Sequence, residues 1–265
     1  ALAQIAGDYQ QGQYGQSLFR SGYYAPLSVA FVQETTIFRE FGPLSGNTMR
    51  LAFEVAPKVK DLSWQTVDVD VRKYFKIAGS GLLALRARGF KSWGDTPDFM
   101  YFGGNSEMRG YDYLEFAGHS VVFGNAELRI PLIHAMATPI GVLGGVRGVA
   151  YFNIGGGSFK GTPYTFGTNE DEVVTPLVGY DFDRITGMPI PIYGDPRIIS
   201  GFRLVDGRAS YGLGFETFAL GFPIHFDWSW RTLFNKDWED VYFASSGGSA
   251  TFRKPRFQFW IGFDF

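Results

Sequence analysis

The residues best suited to acid–base chemistry in this sequence are four carboxylates. Asp68 and Asp70 lie two residues apart, and Glu54 and Glu216 are further candidates for a general acid–base pair. The histidines are scattered and lack the His-Glu-x-x-His spacing of a zinc site; they are His119, His134 and His225. The glycine runs lack phosphate-loop spacing, and the chain has no Gly-x-Ser-x-Gly nucleophile elbow. We therefore predict that the protein is not an enzyme and that it holds neither a cofactor nor a metal.

The composition excludes several classes of protein. The 265 residues carry a net charge of -2 and no cysteine, while 45% are hydrophobic, 18% aromatic and 19% charged. So many aromatic residues at so low a net charge exclude a disordered chain, and the lack of a basic surplus argues against nucleic-acid binding. Without cysteine the chain has no disulfide, no thiolate zinc site and no thiol catalysis. No segment approaches the roughly 20 consecutive apolar residues of a membrane-spanning helix. No secretory signal is recognisable, so we expect that a signal has been removed or that the sequence belongs to a longer protein.

The strongest pattern along the chain is a period of two. In the segment 66–75, Val67, Val69 and Val71 alternate with polar residues, as the side chains of a β-strand do. The C-terminal segment alternates in the same way, and its apolar positions are Phe257, Phe259, Ile261, Phe263 and Phe265. Helical spacing is weak throughout, so the pattern predicts an all-β protein.

The lengths and faces of these segments favour a membrane barrel over a soluble sandwich. The alternating runs are near ten residues long, which fits a tilted strand that crosses the hydrocarbon layer, whereas soluble strands usually have about 5–6 residues. In a transmembrane barrel the apolar side chains face lipid and the charged side chains line the lumen. The sequence therefore predicts an antiparallel transmembrane β-barrel of the outer membrane, in which the carboxylates named above belong to the lumen wall.

We predict about ten strands in one barrel domain that covers residues 1–265. They are placed near 27–38, 46–57, 64–76, 81–92, 119–131, 142–154, 208–220, 223–232 and 257–265, with a weaker candidate within 2–10. Short turns, near 39–45, 77–80, 132–141 and 221–222, alternate with long loops at 93–118, 155–207 and 233–256. Outer-membrane barrels have short periplasmic turns and longer extracellular loops. If the C-terminus is periplasmic, all the short turns predicted here are periplasmic as well.

Three segments carry a family resemblance. The first reads Tyr-Phe-Gly-Gly-Asn-Ser-Glu-Met-Arg-Gly-Tyr over 101–111, the second Gly-Asn-Ala-Glu-Leu-Arg-Ile-Pro-Leu over 124–132, and the third Gly-Val-Ala-Tyr-Phe-Asn-Ile-Gly over 148–155. With the aromatic C-terminal strand, this succession resembles the C-terminal barrel of the BamA-type outer-membrane assembly and translocation superfamily, also called bacterial surface antigens. The resemblance runs from about Val29 to Phe265 and is best between Phe102 and Gly155.

The resemblance implies that the loop 93–118 folds into the barrel and is held there by Arg109, with Gly110 and Tyr111 completing its tip. In the family the arginine contacts acidic groups of the inner wall, and Glu127 matches the first of these. The alternation also places Glu127 on the lumen face, where a guanidinium needs a carboxylate. The alternative is that Glu127 pairs with a neighbouring arginine, Arg129 or Arg147.

The third segment departs from the family pattern, which is Phe-x-Asp-x-Gly. Here Tyr151 begins the corresponding stretch, and Asn153 replaces the aspartate, which removes a negative charge but keeps a hydrogen-bond acceptor. Asp227, on the lumen face of a later strand, is our candidate for the second carboxylate near Arg109.

Members of that family close with sixteen strands, so the resemblance implies that this chain is the C-terminal part of a barrel in a Gram-negative outer membrane. The implied function is to insert or translocate polypeptide, or lipid, through the lumen or through a lateral seam whose one side is the strand 257–265. The expected partners are outer-membrane lipid and lipopolysaccharide, client polypeptides and other subunits of a complex. The alternatives are a barrel of ten strands closed on itself that acts as a passive pore or structural barrel, and a membrane anchor for an upstream or partner domain.

Overall fold

The computed structural model describes residues 22–39, 42–77, 81–138, 141–219 and 222–262. These residues form a mostly antiparallel β structure with two short helices. The strands are β1 (Leu27–Glu34), β2 (Ile37–Arg39), β3 (Gly42–Ala56), β4 (Trp64–Lys76), β5 (Leu82–Trp93), β6 (Met100–Phe102), β7 (Phe116–Gly118), β8 (Ser120–Thr138), β9 (Gly141–Ser158), β10 (Gly167–Thr168), β11 (Glu172–Val174), β12 (Leu177–Phe182), β13 (Pro189–Tyr193), β14 (Arg197–Ile199), β15 (Arg203–Leu204), β16 (Arg208–Ala219), β17 (Phe222–Thr232) and β18 (Arg256–Ile261). The helices are α1 (Lys236–Tyr242) and α2 (Gly248–Phe252), with a 3-10 turn at Ala244–Ser246.

One large sheet organises the molecule. Its strands lie in the order β1-β3-β4-β5-β8-β9-β16-β17-β18, and β2 pairs with β3 to make ten. Every pairing is antiparallel, and neighbours in this order follow one another along the chain apart from the short strands β2, β6, β7 and β10 to β15. Small two-stranded ribbons, β6-β7, β10-β15, β11-β14 and β12-β13, lie within the long loops.

The all-β prediction is confirmed, and each predicted strand from 27–38 to 257–265 corresponds to a strand of the large sheet. Two predictions about connections are wrong. The predicted turn 132–141 is mostly strand, because β8 ends only at Thr138 and β9 already begins at Gly141. The predicted turn 39–45 is also largely strand, since β3 begins at Gly42. The long loops 155–207 and 233–256 carry regular structure of their own, ribbons in the first and α1 and α2 in the second. The weaker candidate strand within 2–10, and the residues Phe263 and Phe265 of the last strand, lie outside the described residues.

The two faces of the large sheet differ in a way that reverses the usual soluble pattern. We call the face that carries Glu127 and Glu216 the inner face, and the face that carries Phe215 and Phe257 the outer face. Glu127 and Glu216 are each 1% exposed, whereas Phe215 is 49% and Phe257 is 55% exposed. Further exposed apolar side chains of the outer face are Val29, Phe31, Leu51, Phe53, Leu85, Val122, Leu213, Phe259 and Ile261. The sheet therefore buries many charged side chains on its inner face and exposes hydrophobic residues on its outer face.

The described part of the sheet has two edges, β1 and β18, which do not pair with each other within the described residues. The long loops lie at the end of the strands where β5, β9 and β17 terminate. In the described part of the chain, no helix has both the length and the apolar character needed to cross a membrane.

Candidate functional site

The loop between β6 and β7 is shaped by glycines. Gly103, Gly104 and Gly110 all have positive φ angles, in the region that residues with a Cβ rarely adopt. The backbone N–H of Met108 donates to the backbone oxygen of Gly104 at 2.9 Å, and this bond closes a tight turn just before Arg109. The Gly-Gly and Arg-Gly pairs of the sequence therefore turn the chain twice and present Arg109 between the two turns.

Aromatic packing holds this loop against the inner face. Tyr111 is buried with Phe102, Met108, Phe116, Val121 and Phe123 in one hydrophobic cluster. Its hydroxyl donates to the backbone oxygen of Ala209 in β16 at 3.1 Å. Burial raises the pKa of the Tyr111 hydroxyl, so this group remains a hydrogen-bond donor at neutral pH. The tip of the loop is thus a fixed element.

Arg109 is the centre of the site and is 1% exposed. Its Nη2 lies 2.7 Å from Oε1 of Glu127, and its Nε lies 3.6 Å from Oδ2 of Asp227. The same Nε donates to the backbone oxygen of Asn105 at 2.9 Å. The guanidinium also stacks over the Tyr151 ring, 4.4 Å from its centroid. Arg109 is therefore held by ionic, backbone and aromatic contacts together.

Glu127 is shared between two arginines. Its Oε2 accepts from Nε and Nη2 of Arg129, at 2.9 and 2.6 Å, while Oε1 faces Arg109. The two alternatives for Glu127 from the sequence, a pair with Arg109 or a pair with Arg129, are thus both present. With Asp227, whose Oδ2 accepts from Nε1 of Trp260 at 2.8 Å, the cluster holds two cations and two anions. Its charges balance, which buried ionic groups require.

Tyr151 reaches its position because a glycine lies beside it. Gly212 of β16 lies between Tyr151 of β9 and Ser229 of β17 in the register of the sheet. The Tyr151 side chain crosses over Gly212, and its hydroxyl is 2.7 Å from Oγ of Ser229. A Cβ at position 212 would collide with that hydroxyl. The ring that supports Arg109 is therefore placed by a neighbour without a side chain.

Asn153 joins the loop through a polar relay. Its Oδ1 accepts from Asn125 at 2.8 Å, and its Nδ2 donates to Oγ of Ser210 at 3.2 Å. The Ser210 hydroxyl in turn donates to the backbone oxygen of Arg109. Asn125 also donates to the backbone oxygen of Glu107. An amide at position 153 thus acts as both donor and acceptor, which an aspartate in its ionised form could not do.

The last described strand binds the loop tip directly. The backbone N–H of Gly110 donates to Oε1 of Gln258 at 2.8 Å, and the backbone oxygen of Gly110 accepts from Nη1 of Arg256 at 3.1 Å. Nη2 of Arg256 also pairs with Oδ1 of Asp112 at 2.7 Å. The Trp260 ring lies 5.8 Å from the Arg109 guanidinium. The inner-face residues of β18 therefore all contact the loop, while Phe257, Phe259 and Ile261 face outward.

These contacts require the sheet to curl around the loop. Glu127 on β8 and Trp260 on β18 are separated by four strand spacings, or about 19 Å in a flat sheet. Both side chains nevertheless contact the single guanidinium of Arg109. Five neighbouring strands thus wrap around one side chain.

The structure brings together most of the residues that the sequence singled out. Arg109, Gly110 and Tyr111 lie against the inner face, with Glu127, Tyr151 and Asp227 around the guanidinium. Asn153 contacts the loop by way of Ser210 instead of supplying a simple acceptor to the guanidinium. Sequence reasoning missed Ser210, Ser229, Arg256, Gln258 and Trp260. The last three could have been found from the period of two, because positions 256, 258 and 260 alternate with the apolar positions 257, 259 and 261 and therefore lie on the inner face.

The carboxylates considered for acid–base chemistry are engaged elsewhere on the inner face. Asp70 lies 2.8 Å from both Arg72 and Arg86, and Asp68 pairs with Arg50 and Arg88. Glu216 pairs with Arg147, and Glu54 accepts from Nε1 of Trp64. Among the described residues, no three histidine or acidic side chains are grouped so that they could hold a metal ion. The site is therefore a buried ionic support for a loop.

The chain was compared with known families and proteins. No family model matches it. No curated protein matches it either.

Proposed function

We propose that this chain is the C-terminal part of a β-barrel of the bacterial outer membrane that inserts or translocates polypeptide, or lipid. The distribution of side chains on the large sheet supports the membrane location. Lipid would cover exposed residues such as Leu213, Phe215 and Phe259, while Glu127 and Glu216 would remain on the lumen side. In water, so large an apolar surface would be a liability, since soluble proteins rarely expose contiguous patches of more than a few hundred Å².

The dimensions of the sheet support the barrel. A tilted strand needs about 9–11 residues to cross the hydrocarbon layer, and β3, β4, β5, β8, β9, β16 and β17 each have 11 or more. The sheet already curls around Arg109, and its backbone groups in a bilayer would all need partners. Strands from elsewhere in the protein, up to the sixteen of the family it resembles, would supply the remainder of the wall.

The observation that carries the function is the contact between the loop tip and β18. Gln258 and Arg256 hold Gly110 from the inner face, whereas β18 pairs on one side only, with β17, within the described residues. An edge strand offers unpaired N–H and C=O groups to an incoming strand. The loop would keep this edge ordered while a client strand adds to it, so Arg109 would act by positioning the seam.

Client folding in proteoliposomes tests the proposal. The full-length protein should accelerate the folding of an outer-membrane barrel client, measured as the gel-mobility shift of the folded form. Arg109→Ala and Gln258→Ala should each reduce the rate several-fold. The matched control is Arg50→Ala, which removes an arginine from the more exposed pair with Asp68.

Three outcomes separate this function from the alternatives. Accelerated folding that depends on Arg109 supports assembly. A steady conductance in planar bilayers without accelerated folding would favour a passive pore. Neither activity, together with a functional soluble domain elsewhere in the protein, would favour a membrane anchor, and in both of the last two cases the assembly proposal is wrong.

A further inference from the structure

A groove on the outer face is separate from the loop site. It lies where β4, β5, β8 and β9 approach the long loops, and it is an open depression with a volume of about 320 Å³. Its walls include Val67, Val69, Val122 and Tyr164. A cavity of this size is at the lower end of the range for small-molecule sites.

Two rows of the sheet form the groove. The deeper row, nearer the middle of the strands, consists of Val69, Gly89, Val122 and Gly156 in register across the four strands. Gly89 leaves a trough on one side of Val122, whereas the space above Gly156 on the other side is filled by Tyr164. A Cβ at Gly89 would meet no atom within 4 Å, so this trough is open space.

The second row, closer to the loops, is polar. It consists of Val67, Lys91, Ser120 and Ser158, again in register. Within the described residues Lys91 makes no ion pair, and its three row neighbours carry no charge. An unpaired cation beside an apolar row favours an anionic ligand from outside the protein.

Tyr164 adds a hydroxyl to the same groove. It comes from the loop after β9 and lies over Gly156, where a Cβ would collide with the hydroxyl. The hydroxyl is buried and has no hydrogen-bond partner among the described residues. Burial raises the pKa of Tyr164 to about 12, so the group is a donor at neutral pH.

We propose that this groove binds an anionic phospholipid-type amphiphile, with an acyl chain along the row of Val69, Gly89 and Val122 and its headgroup phosphate at Lys91. The inference rests on the proposed membrane location. Ser120 and Ser158 supply hydroxyl groups beside Lys91, while Tyr164 closes the groove over Gly156. The order of the rows matches such a lipid, since the polar row is nearer the loops and the apolar row points towards the bilayer interior. A free phosphate would gain only one cation here and would leave the trough empty.

Native mass spectrometry of the detergent-purified full-length protein tests this site. Phosphatidylglycerol and phosphatidylcholine with identical acyl chains are added separately. The wild-type protein should bind phosphatidylglycerol about fivefold more tightly, the value of one lysine near an anionic surface. Lys91→Gln should abolish this preference, whereas Gly89→Leu should fill the trough and weaken the binding of both lipids.

Matched controls and an insertion assay make the result decisive. Lys254→Gln removes an exposed charge elsewhere, and Gly179→Leu fills space that is equally open but outside the groove; neither should change lipid binding. Each variant is also inserted into vesicles and checked for a heat-modifiable gel mobility, with Gly89→Ala as the milder substitute if Gly89→Leu fails. Failure of the wild type to insert would overturn the membrane location and the site with it. Normal insertion with equal binding of both lipids, or with a preference that survives Lys91→Gln, would overturn the site alone.

Discussion

The backbone N–H of Gly110 donates to Oε1 of Gln258 at 2.8 Å, across 148 residues of sequence. This bond joins the tip of a loop to the inner face of the last described strand. The ionic cluster below it ties the same loop to β8 and β17. The loop thus connects the middle of the large sheet to its edge, and the predictions below separate the contributions of the two attachments.

The ion pair of Arg109 and Glu127 should be the strongest single support of the loop. Both groups are almost completely buried, so removal of either leaves an uncompensated charge, which typically costs 3–5 kcal/mol. Glu127→Gln should therefore lower the free energy of unfolding by about that amount in a denaturant titration. The control Arg50→Ala, at a pair with a 46% exposed arginine, should cost less than about 1 kcal/mol. Equal losses for the two variants would contradict the role given to the buried pair.

Asp227 should contribute less than Glu127. Its nearest oxygen is 3.6 Å from Arg109, compared with 2.7 Å for Glu127, and it also accepts a hydrogen bond from Trp260. Asp227→Asn keeps an acceptor for the indole N–H, so the expected loss of stability is smaller than that of Glu127→Gln. The same denaturant titration ranks the two variants. If Asp227→Asn proves the more damaging, Asp227 is the principal partner of Arg109.

Gly110→Ala should displace the loop tip. The residue has φ of +87°, and a Cβ there would lie 2.8 Å from Cβ of Ser229. Gly161 provides a matched control, because its φ of +84° is similar but no atom lies within 4 Å of its Cβ position. Gly161→Ala should cost only the left-handed backbone strain, about 1–2 kcal/mol. Gly110→Ala should cost more and should also accelerate proteolysis within 103–113, an effect that Gly161→Ala should not produce.

Substitutions around Tyr151 should distinguish its ring from its hydroxyl. Tyr151→Phe removes the hydrogen bond to Ser229 but keeps the ring beneath Arg109, so the loss should be about 1 kcal/mol. Gly212→Ala adds a methyl group where the Tyr151 hydroxyl lies and should displace the whole ring. We expect Gly212→Ala to be the more destabilising variant in thermal unfolding. The reverse order would mean that the ring contributes little to holding Arg109.

Gln258→Leu should loosen the attachment to β18 without affecting the ionic cluster. It leaves the Gly110 N–H without its acceptor, which costs about 1–3 kcal/mol for a buried group. Hydrogen exchange at Gly110 and Tyr111 should then become at least about tenfold faster. Gln65→Leu, at an exposed position of β4, is the control and should leave exchange in the loop unchanged. Unchanged exchange in Gln258→Leu would show that the bond to Gln258 contributes little to holding the loop tip.

The sequence by itself determined the strands and their faces. A period of two is a local property, since successive Cβ atoms of an extended chain point to opposite sides, so Val67 and Asp68 could be assigned to opposite faces without knowledge of any partner strand. The resemblance to assembly barrels likewise singled out Arg109 and Glu127 before any distance was known. The continuation of β8 and β9 into 132–141, where a turn was predicted, escaped prediction because this segment has no clear alternation.

Only the tertiary structure decided which groups meet at the loop tip. Contacts between Gly110 and Gln258, or between Arg109 and Trp260, depend on the order of the strands and on the curl of the sheet. Both are long-range properties that local patterns do not encode. The same holds for the shared position of Glu127 between Arg109 and Arg129, because a period of two specifies a face but not which charges on it are neighbours. The geometry of the site is therefore a consequence of strand register and sheet curvature, whereas the types of its main residues could be identified from the sequence.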